Sequence, residues 1–130
     1  MAIFVYAENI NGVYKKAAFE SVSYAKAIAD QAGETVTAIT INPTDSSDLL
    51  YKYGASQVII IKDEGLKNFS AKAYAQAVNE VSTGNIIVFP HTTDASSIAP
   101  MLAIMNGFSL ITNVIGTYTK YPPIRSDSAE

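Results

Sequence analysis

No cysteine occurs in these 130 residues. That excludes disulfides, thiolate metal sites and thiol catalysis, and it fits a reducing compartment. One histidine, His91, leaves no multi-histidine zinc site. The nine basic residues are scattered, with only Lys15 and Lys16 adjacent. With a net charge of −3 and a pI near 5.0, nucleic acid has no basic stripe to hold. Glycine is sparse as well: the closest pair, Gly107 and Gly116, lies nine positions apart. A phosphate cradle needs closely spaced glycines, so there is no G-x-G-x-x-G and no P-loop. No apolar run approaches the ~20 residues that span a bilayer, so direct membrane insertion is not expected. The opening "MAIFVYAENING" has no basic leader and reaches Glu8 early, and the chain reads as cytoplasmic.

What is present is an ordinary globular composition, 48% hydrophobic and 16% charged, of a length that fits one domain. Short β-branched runs at 2–7, 35–41, 57–62 and 85–89, with a weaker one at 109–116, alternate with helical stretches. Near-continuous apolar runs such as "QVIIIK" and "NIIVF" are typical of strands buried on both faces of a parallel sheet. From Lys15 to Ala32, apolar positions at 18, 22, 25, 29 and 32 share one helical face; four are alanines, which lets the helix lie close to a sheet. Gly33 supplies its stop. "TDSSDLLYKYG" predicts a helix of about two turns. Ser70 caps a helix over 71–81, and a last helix covers about 94–106, either beginning near Ser96 or bending at Pro100. This order predicts a three-layer α/β fold, a mostly parallel sheet with helices on both faces. Residues 117–130, with two prolines and a polar run, read as a linker or tail after a domain spanning 1–116.

Ligands in an open α/β sheet bind beyond the carboxyl ends of the strands, so the loops there are the candidates for chemistry. Asn11-Gly12 after the first strand is a turn signal, since both residues tolerate positive φ. Glu8 has the chemistry of a base or a ribose ligand, but a solvated loop carboxylate is the simpler reading. Asp63-Glu64 reads as exposed charge. The stretch "VFPHTTDASSIAP" gathers His91, Thr92, Thr93, Ser96 and Ser97 in one short segment. It holds no G-x-S-x-G elbow, and a nucleophile triad needs groups converging from different segments, so no catalytic role is expected. The hydroxyls suit capping of the following helix, and the same five residues are candidates for a weak anion pocket at its start.

The order of the pieces resembles the amino-terminal domain of the electron transfer flavoprotein alpha subunit. The resemblance is carried by "VYAENINGVYKKAAFESVSYAKAIA" (5–29), "YKYGASQVIII" (51–61), "AKAYAQAVNEV" (71–81) and "TTDASSIAPMLAIMNGFSLITNV" (92–114). It departs from the family at Ala95-Ser96-Ser97, where a glycine and a basic–acidic pair are common, and at Ile111-Thr112-Asn113-Val114 in place of Thr-Asp-Val. The resemblance implies an adenine-nucleotide-hydrolase-like, Rossmann-like domain that packs on the beta subunit and acts as scaffold and interface rather than as an enzyme. It also implies FAD held in a second, carboxy-terminal domain whose motifs are not among these residues, AMP in the partner subunit, and electrons arriving from acyl-CoA-type dehydrogenases. No flavin-binding residue of the family can be carried over. Two other readings share the fold class or the composition: an adenine-nucleotide module of universal-stress type, and a stand-alone interaction domain using exposed tyrosines such as Tyr14, Tyr118 and Tyr121.

Overall fold

The computed structural model describes residues 2–82, 86–106 and 109–114, with side chains left out for 106 and 109–114. Five strands form one parallel sheet: β1 (Ala2–Tyr6), β4 (Thr35–Ile41), β5 (Gln57–Ile61), β6 (Ile86–Pro90) and β7 (Ser109–Val114). Their spatial order is β5-β4-β1-β6-β7. The chain leaves the central strand β1, builds outward on one side through β4 and β5, then crosses back to β6 and β7. The strand order therefore reverses between β1 and β6. A small antiparallel hairpin, β2 (Asn9–Ile10) and β3 (Val13–Tyr14), follows β1 directly.

Alternation along β1 assigns the two faces of the sheet. Ile3, Val5 and Ala7 face a core built with α1 (Lys16–Ala32) and α2 (Asp48–Lys52), while Phe4 and Tyr6 face one built with α3 (Ala71–Val81) and α4 (Thr93–Asn106). Successive strand side chains point to opposite faces, so covering both requires apolar residues at every position. This is the three-layer α/β arrangement the sequence predicts. On α1, the small residues Ala18, Ala25 and Ala29 are buried with Val22, which brings the helix backbone close to the sheet. Ala32, the fifth apolar position of the sequence pattern, is exposed, and Tyr24 and Ile28 complete the face instead. Gly33 ends the helix in the left-handed region at φ 71°, its N–H donating to the Ala29 carbonyl.

Three expectations change. The run over 57–62 reads as a strand buried on both faces, but β5 lies at the sheet edge, with Gln57 exposed and Ile60 42% exposed. Apolar continuity reports β-propensity here, and an edge position leaves part of it uncovered. The last helix begins at Thr93 and runs through Pro100, so it starts before Ser96. The α2 helix, at five residues, is about half a turn shorter than the two turns "TDSSDLLYKYG" suggests, because Ser46 and Ser47 stay outside it. Residues 115–130, including the segment read as a linker, lie outside the described residues.

Candidate functional site

A cleft of about 640 Å³ opens beyond the carboxyl ends of β1, β4 and β5. Its walls come from the loops after those strands, from the start of α4 at Asp94, and from Leu66, Phe69 and Tyr74 on the segment leading into α3 and on α3 itself. This is the side of the sheet where doubly wound folds bind ligands, next to the point where the strand order reverses.

The wall after β1 is fastened from several sides. Asn11 and Gly12 sit at φ 52° and 89°, the left-handed pair a tight hairpin turn requires. The Asn9 side chain donates to the Thr40 hydroxyl at 3.2 Å and the Ile41 carbonyl at 2.7 Å, and its oxygen accepts from the Gly12 N–H at 3.0 Å. The Gly12 carbonyl in turn accepts from the backbone N–H groups of Thr44 and Asp45. The Tyr14 N–H donates to the Asp45 carboxylate at 3.1 Å. A Cβ on Gly12 would lie 2.5 Å from the Thr44 hydroxyl, so the hairpin and the loop after β4 touch where only a glycine fits.

Between β4 and β5 the floor rests on Asn42, a non-glycine residue at φ 49°. Its side-chain amide donates to the Asp63 carbonyl at 2.9 Å and accepts from the Asp63 N–H at 2.9 Å. The side chain thus continues the strand pairing one step past Ile61. Asparagine suits this role because it tolerates the left-handed region and offers both donor and acceptor. Asp63 accepts from the Gly65 N–H at 2.8 Å, capping a single 3-10 turn at Glu64–Leu66. The Tyr74 hydroxyl donates to the Leu66 carbonyl at 2.7 Å and holds that turn against α3.

The less exposed end of the cleft carries its electrostatics. Glu8 is half-buried and accepts a hydrogen bond from the Thr92 hydroxyl. Burial pushes its carboxyl above the ordinary range; Asp94 adds to the rise, and the Thr92 hydrogen bond opposes it. The Tyr6 phenol is driven far up by burial and by the charges of Glu8 and Asp94 beside it, and Tyr74 is raised in the same way. Two carboxylates and two phenols thus share one field with no lysine paired to them among the described residues. Lys62 and Lys67 stand on the exposed part of the lining with Asp63 and Glu64, and Lys67 lies 3.8 Å from Glu64.

The five residues singled out in the sequence lie at the start of α4. Thr92 caps that helix: its hydroxyl oxygen accepts from the Ala95 N–H at 3.2 Å, and its carbonyl from the Ser96 N–H. The Ser96 and Ser97 hydroxyls donate back to the carbonyls of Thr92 and Thr93, four residues earlier, at 2.7 and 3.3 Å. His91, Thr93, Ser96 and Ser97 are exposed. None of the five lines the cleft, whereas Asp94, which lies between them in the chain and was not one of the five, does. Glu8 departs from its reading as a solvated loop carboxylate, because the chain past β1 folds back to set it against Thr92, far away in sequence. Tyr14, taken as exposed, is a strand residue of the hairpin that turns into the core against α1, its ring on Phe19. The exposed tyrosines of the described residues that stand out are Tyr51 at 45% and Tyr53 at 42%; Tyr118 and Tyr121 lie outside the described residues. Tyr6, Asn9, Asn42, Tyr74 and Asp94 escaped the sequence reading. A polar residue one or two positions past the ends of β1, β4 and β5, at Glu8, Asn42 and Asp63, was the signal that could have found the cleft.

Residues 3–120 match the family described as "Electron transfer flavoprotein domain". The chain belongs to that family. A relative named electron transfer flavoprotein subunit alpha, from Thermoanaerobacterium thermosaccharolyticum, is 29% identical over 82% of this chain and 34% of its own length. The subunit of the same name from Bacillus subtilis is 25% identical over 87% of this chain and 36% of its own. Lactate dehydrogenase (NAD(+),ferredoxin) subunit LctC of Acetobacterium woodii is 31% identical over 78% of this chain and 25% of its own. The chain thus spans about a third or less of the curated relatives it matches. A solved member of the universal stress protein family from Burkholderia pseudomallei superposes with a TM-score of 0.50 at 12% identity, covering 86% of this chain and 96% of that one. At that identity the likeness is one of fold, and it agrees with the Rossmann-like, adenine-nucleotide-hydrolase-like layering. Within the described residues no helix is long and apolar enough to cross a membrane.

Proposed function

We propose that this chain is the amino-terminal scaffold and interface domain of an electron transfer flavoprotein alpha-type subunit. It packs on a beta subunit and supports electron transfer by a flavin held outside these residues. The observation that carries the reading is the family match over residues 3–120 together with relatives named as alpha subunits. The cleft supports it chemically. A nucleotide phosphate at the less exposed end of the cleft needs donors, and Glu8 and Asp94 present carboxylates there, while Lys62 and Lys67 stand only on the exposed part of the lining. Within the proposal, FAD resides in the alpha subunit's other domain, AMP in the beta subunit, and the electrons come from acyl-CoA-type dehydrogenases. The domain itself carries no catalytic step.

The start of α4 enters the proposal only as a weak anion contact at His91, Thr92, Thr93, Ser96 and Ser97, because Glu8 seated on Thr92 opposes a second negative charge. Phosphate that left the amide signals of 91–97 unmoved would remove it.

Calorimetric titration of the purified chain with FAD and separately with AMP tests the main reading. Neither is expected to bind, and a cognate beta subunit is expected to form a one-to-one complex in size-exclusion chromatography. Tight AMP binding would favour the universal-stress type of nucleotide module, which the fold likeness alone allows. Tight FAD binding would put the flavin site within this chain. Self-association without affinity for the beta subunit would favour a stand-alone interaction domain.

A further inference from the structure

The buried end of the cleft is built as a receptor for positive charge. Tyr6 is 97% buried, as its 3% exposure states, yet it lines the cleft. Its ring packs on Phe89 with centroids 5.7 Å apart, which fixes the direction of the hydroxyl, and that hydroxyl makes no hydrogen bond to another described residue. Glu8 and Asp94 lie close enough to raise the Tyr6 phenol by their charge, and Asp94 acts on Glu8 as well. A hydroxyl that faces the cleft with no hydrogen-bond partner among the described residues, beside two carboxylates that no lysine pairs there, leaves acceptors on the lining for a ligand to fill. Above them Tyr74 and Phe69 meet edge to face at 4.9 Å, presenting aromatic surface on the same lining.

Each part suits one kind of ligand. Carboxylates accept N–H donors and neutralise their charge, a phenol oxygen accepts one more, and aromatic faces attract a cation within about 6 Å of the ring. Inorganic phosphate and nucleotides meet the wrong sign here. A hydrated metal ion would leave Phe69 and Tyr74 without a role, and no cluster of metal-ligating residues occurs among the described residues.

We propose that the cleft binds a compact organic cation, a guanidinium or alkylammonium group, held by Glu8, Asp94 and Tyr6 with its hydrocarbon part against Phe69 and Tyr74. The group belongs either to a free small molecule or to an arginine or lysine side chain of a partner. This does not rest on the electron-transfer reading and stands or falls separately from it.

The test is an NMR titration of the full 130-residue chain with agmatine, which carries a guanidinium and an amine, and in a second arm with N-acetyl-arginine amide. Amide signals of Glu8, Asn9, Tyr74 and Asp94 are expected to move and saturate, with a Kd of about 1 mM or tighter. AMP is expected to leave them unchanged. Glu8→Gln, which keeps the shape and removes the charge, is expected to weaken binding by about tenfold or more. If that variant fails to fold, Asp94→Asn replaces it with the same expectation. Stronger binding of the acetylated amide would assign the site to a partner's side chain, and stronger binding of agmatine to a free ligand. No movement at about 10 mM of either cation, equal movement with AMP, or an unchanged affinity in the folded charge-removed variant would overturn the proposal.

Discussion

Two neighbouring turns at the same end of the sheet solve the same problem differently. The segment after β1 satisfies its polar groups at long range: Asn9 reaches Thr40 and Ile41, Tyr14 reaches Asp45, and Gly12 bonds the loop after β4. The segment after β6 satisfies its own locally, with Thr92, Ser96 and Ser97 bonding within one helical turn. Long-range bonds fix the wall of a cleft relative to the sheet, whereas local ones fix a helix start and leave its outer surface to solvent. The difference predicts that damage to the first turn propagates into β4 and the cleft, while damage to the second stays at the end of α4.

Gly12 is where that contrast breaks most sharply. An alanine there would hold φ near 89°, which L-residues rarely adopt, and would drive its Cβ to 2.5 Å from the Thr44 hydroxyl. Gly12→Ala is expected to destabilise the domain by about 2–4 kcal/mol in chemical denaturation, the range for strained backbone combined with a close clash. Amide shifts are expected to spread to Thr44 and Asp45. A loss under about 0.5 kcal/mol would mean the hairpin is not fastened to the β4 loop.

Next in size is Asn9→Ala. It removes the amide from the Thr40 hydroxyl and the Ile41 carbonyl, and Thr40 is fully buried. Leaving buried polar groups short of a partner costs about 1–3 kcal/mol. Asn9→Asp is expected to be no better, since a carboxylate cannot donate to the Ile41 carbonyl and adds charge beside Glu8. Full stability in either variant, read from a denaturation midpoint, would show that these bonds are not part of the wall.

The layers were legible in the sequence because burial on both faces forces continuous apolar strands, and small residues on α1 announce close packing. Caps at Ser70 and Thr92 and the stop at Gly33 were readable for a similar reason: local hydrogen bonding needs only near neighbours. The cleft was not readable. Glu8 meets Thr92, and Asn42 meets Asp63, only once the strand order has brought their loops together. Periodicity carries no information about that order. The hydroxyl-rich start of α4 drew attention as a site because its residues are adjacent in the chain. The side chains that line the cleft come from five separate segments. Asp94 fell between the two, an acidic residue in the first turn of α4 that reads as dipole compensation and also faces the cleft.

Thr92 belongs to both turns, so replacing it tests how they are joined. Thr92→Ala removes the acceptor for the Ala95 N–H and the donor to Glu8 together. Loss of the cap is expected to cost about 1 kcal/mol. Thr92→Ser restores both bonds and is expected to recover most of it. Ser96→Ala serves as the local control, because its hydroxyl only bonds back to a carbonyl that already accepts the Ser96 N–H, and its effect is expected to stay within about 0.5 kcal/mol. Equal losses in Thr92→Ala and Ser96→Ala would erase the distinction between a cap and a back-bonded hydroxyl.

The smallest effect expected is on Glu8, and its sign is the informative part. Burial and the charge of Asp94 raise its folded-state pKa above the ordinary value of 4.5, so the folded chain holds that proton more tightly than the unfolded one. For an acid shifted upward, protonation favours the folded state. Its contribution is most favourable below pH 4.5 and declines as pH rises through the raised folded value, after which the ionised group is a constant penalty. Glu8→Gln removes the ionisation and keeps an acceptor for the Thr92 hydroxyl. The variant is therefore expected to gain stability relative to the natural chain at pH 7, and the gain is expected to shrink as pH falls into the carboxylate range. The group is half-buried, so solvent screening keeps the difference below that of the Thr92 cap. Denaturation of both chains across pH 4 to 8 would read it, since every other titrating group cancels in the difference. A gap that widened toward low pH instead would mean Glu8 is stabilised as a carboxylate, with the Thr92 hydrogen bond outweighing burial and Asp94.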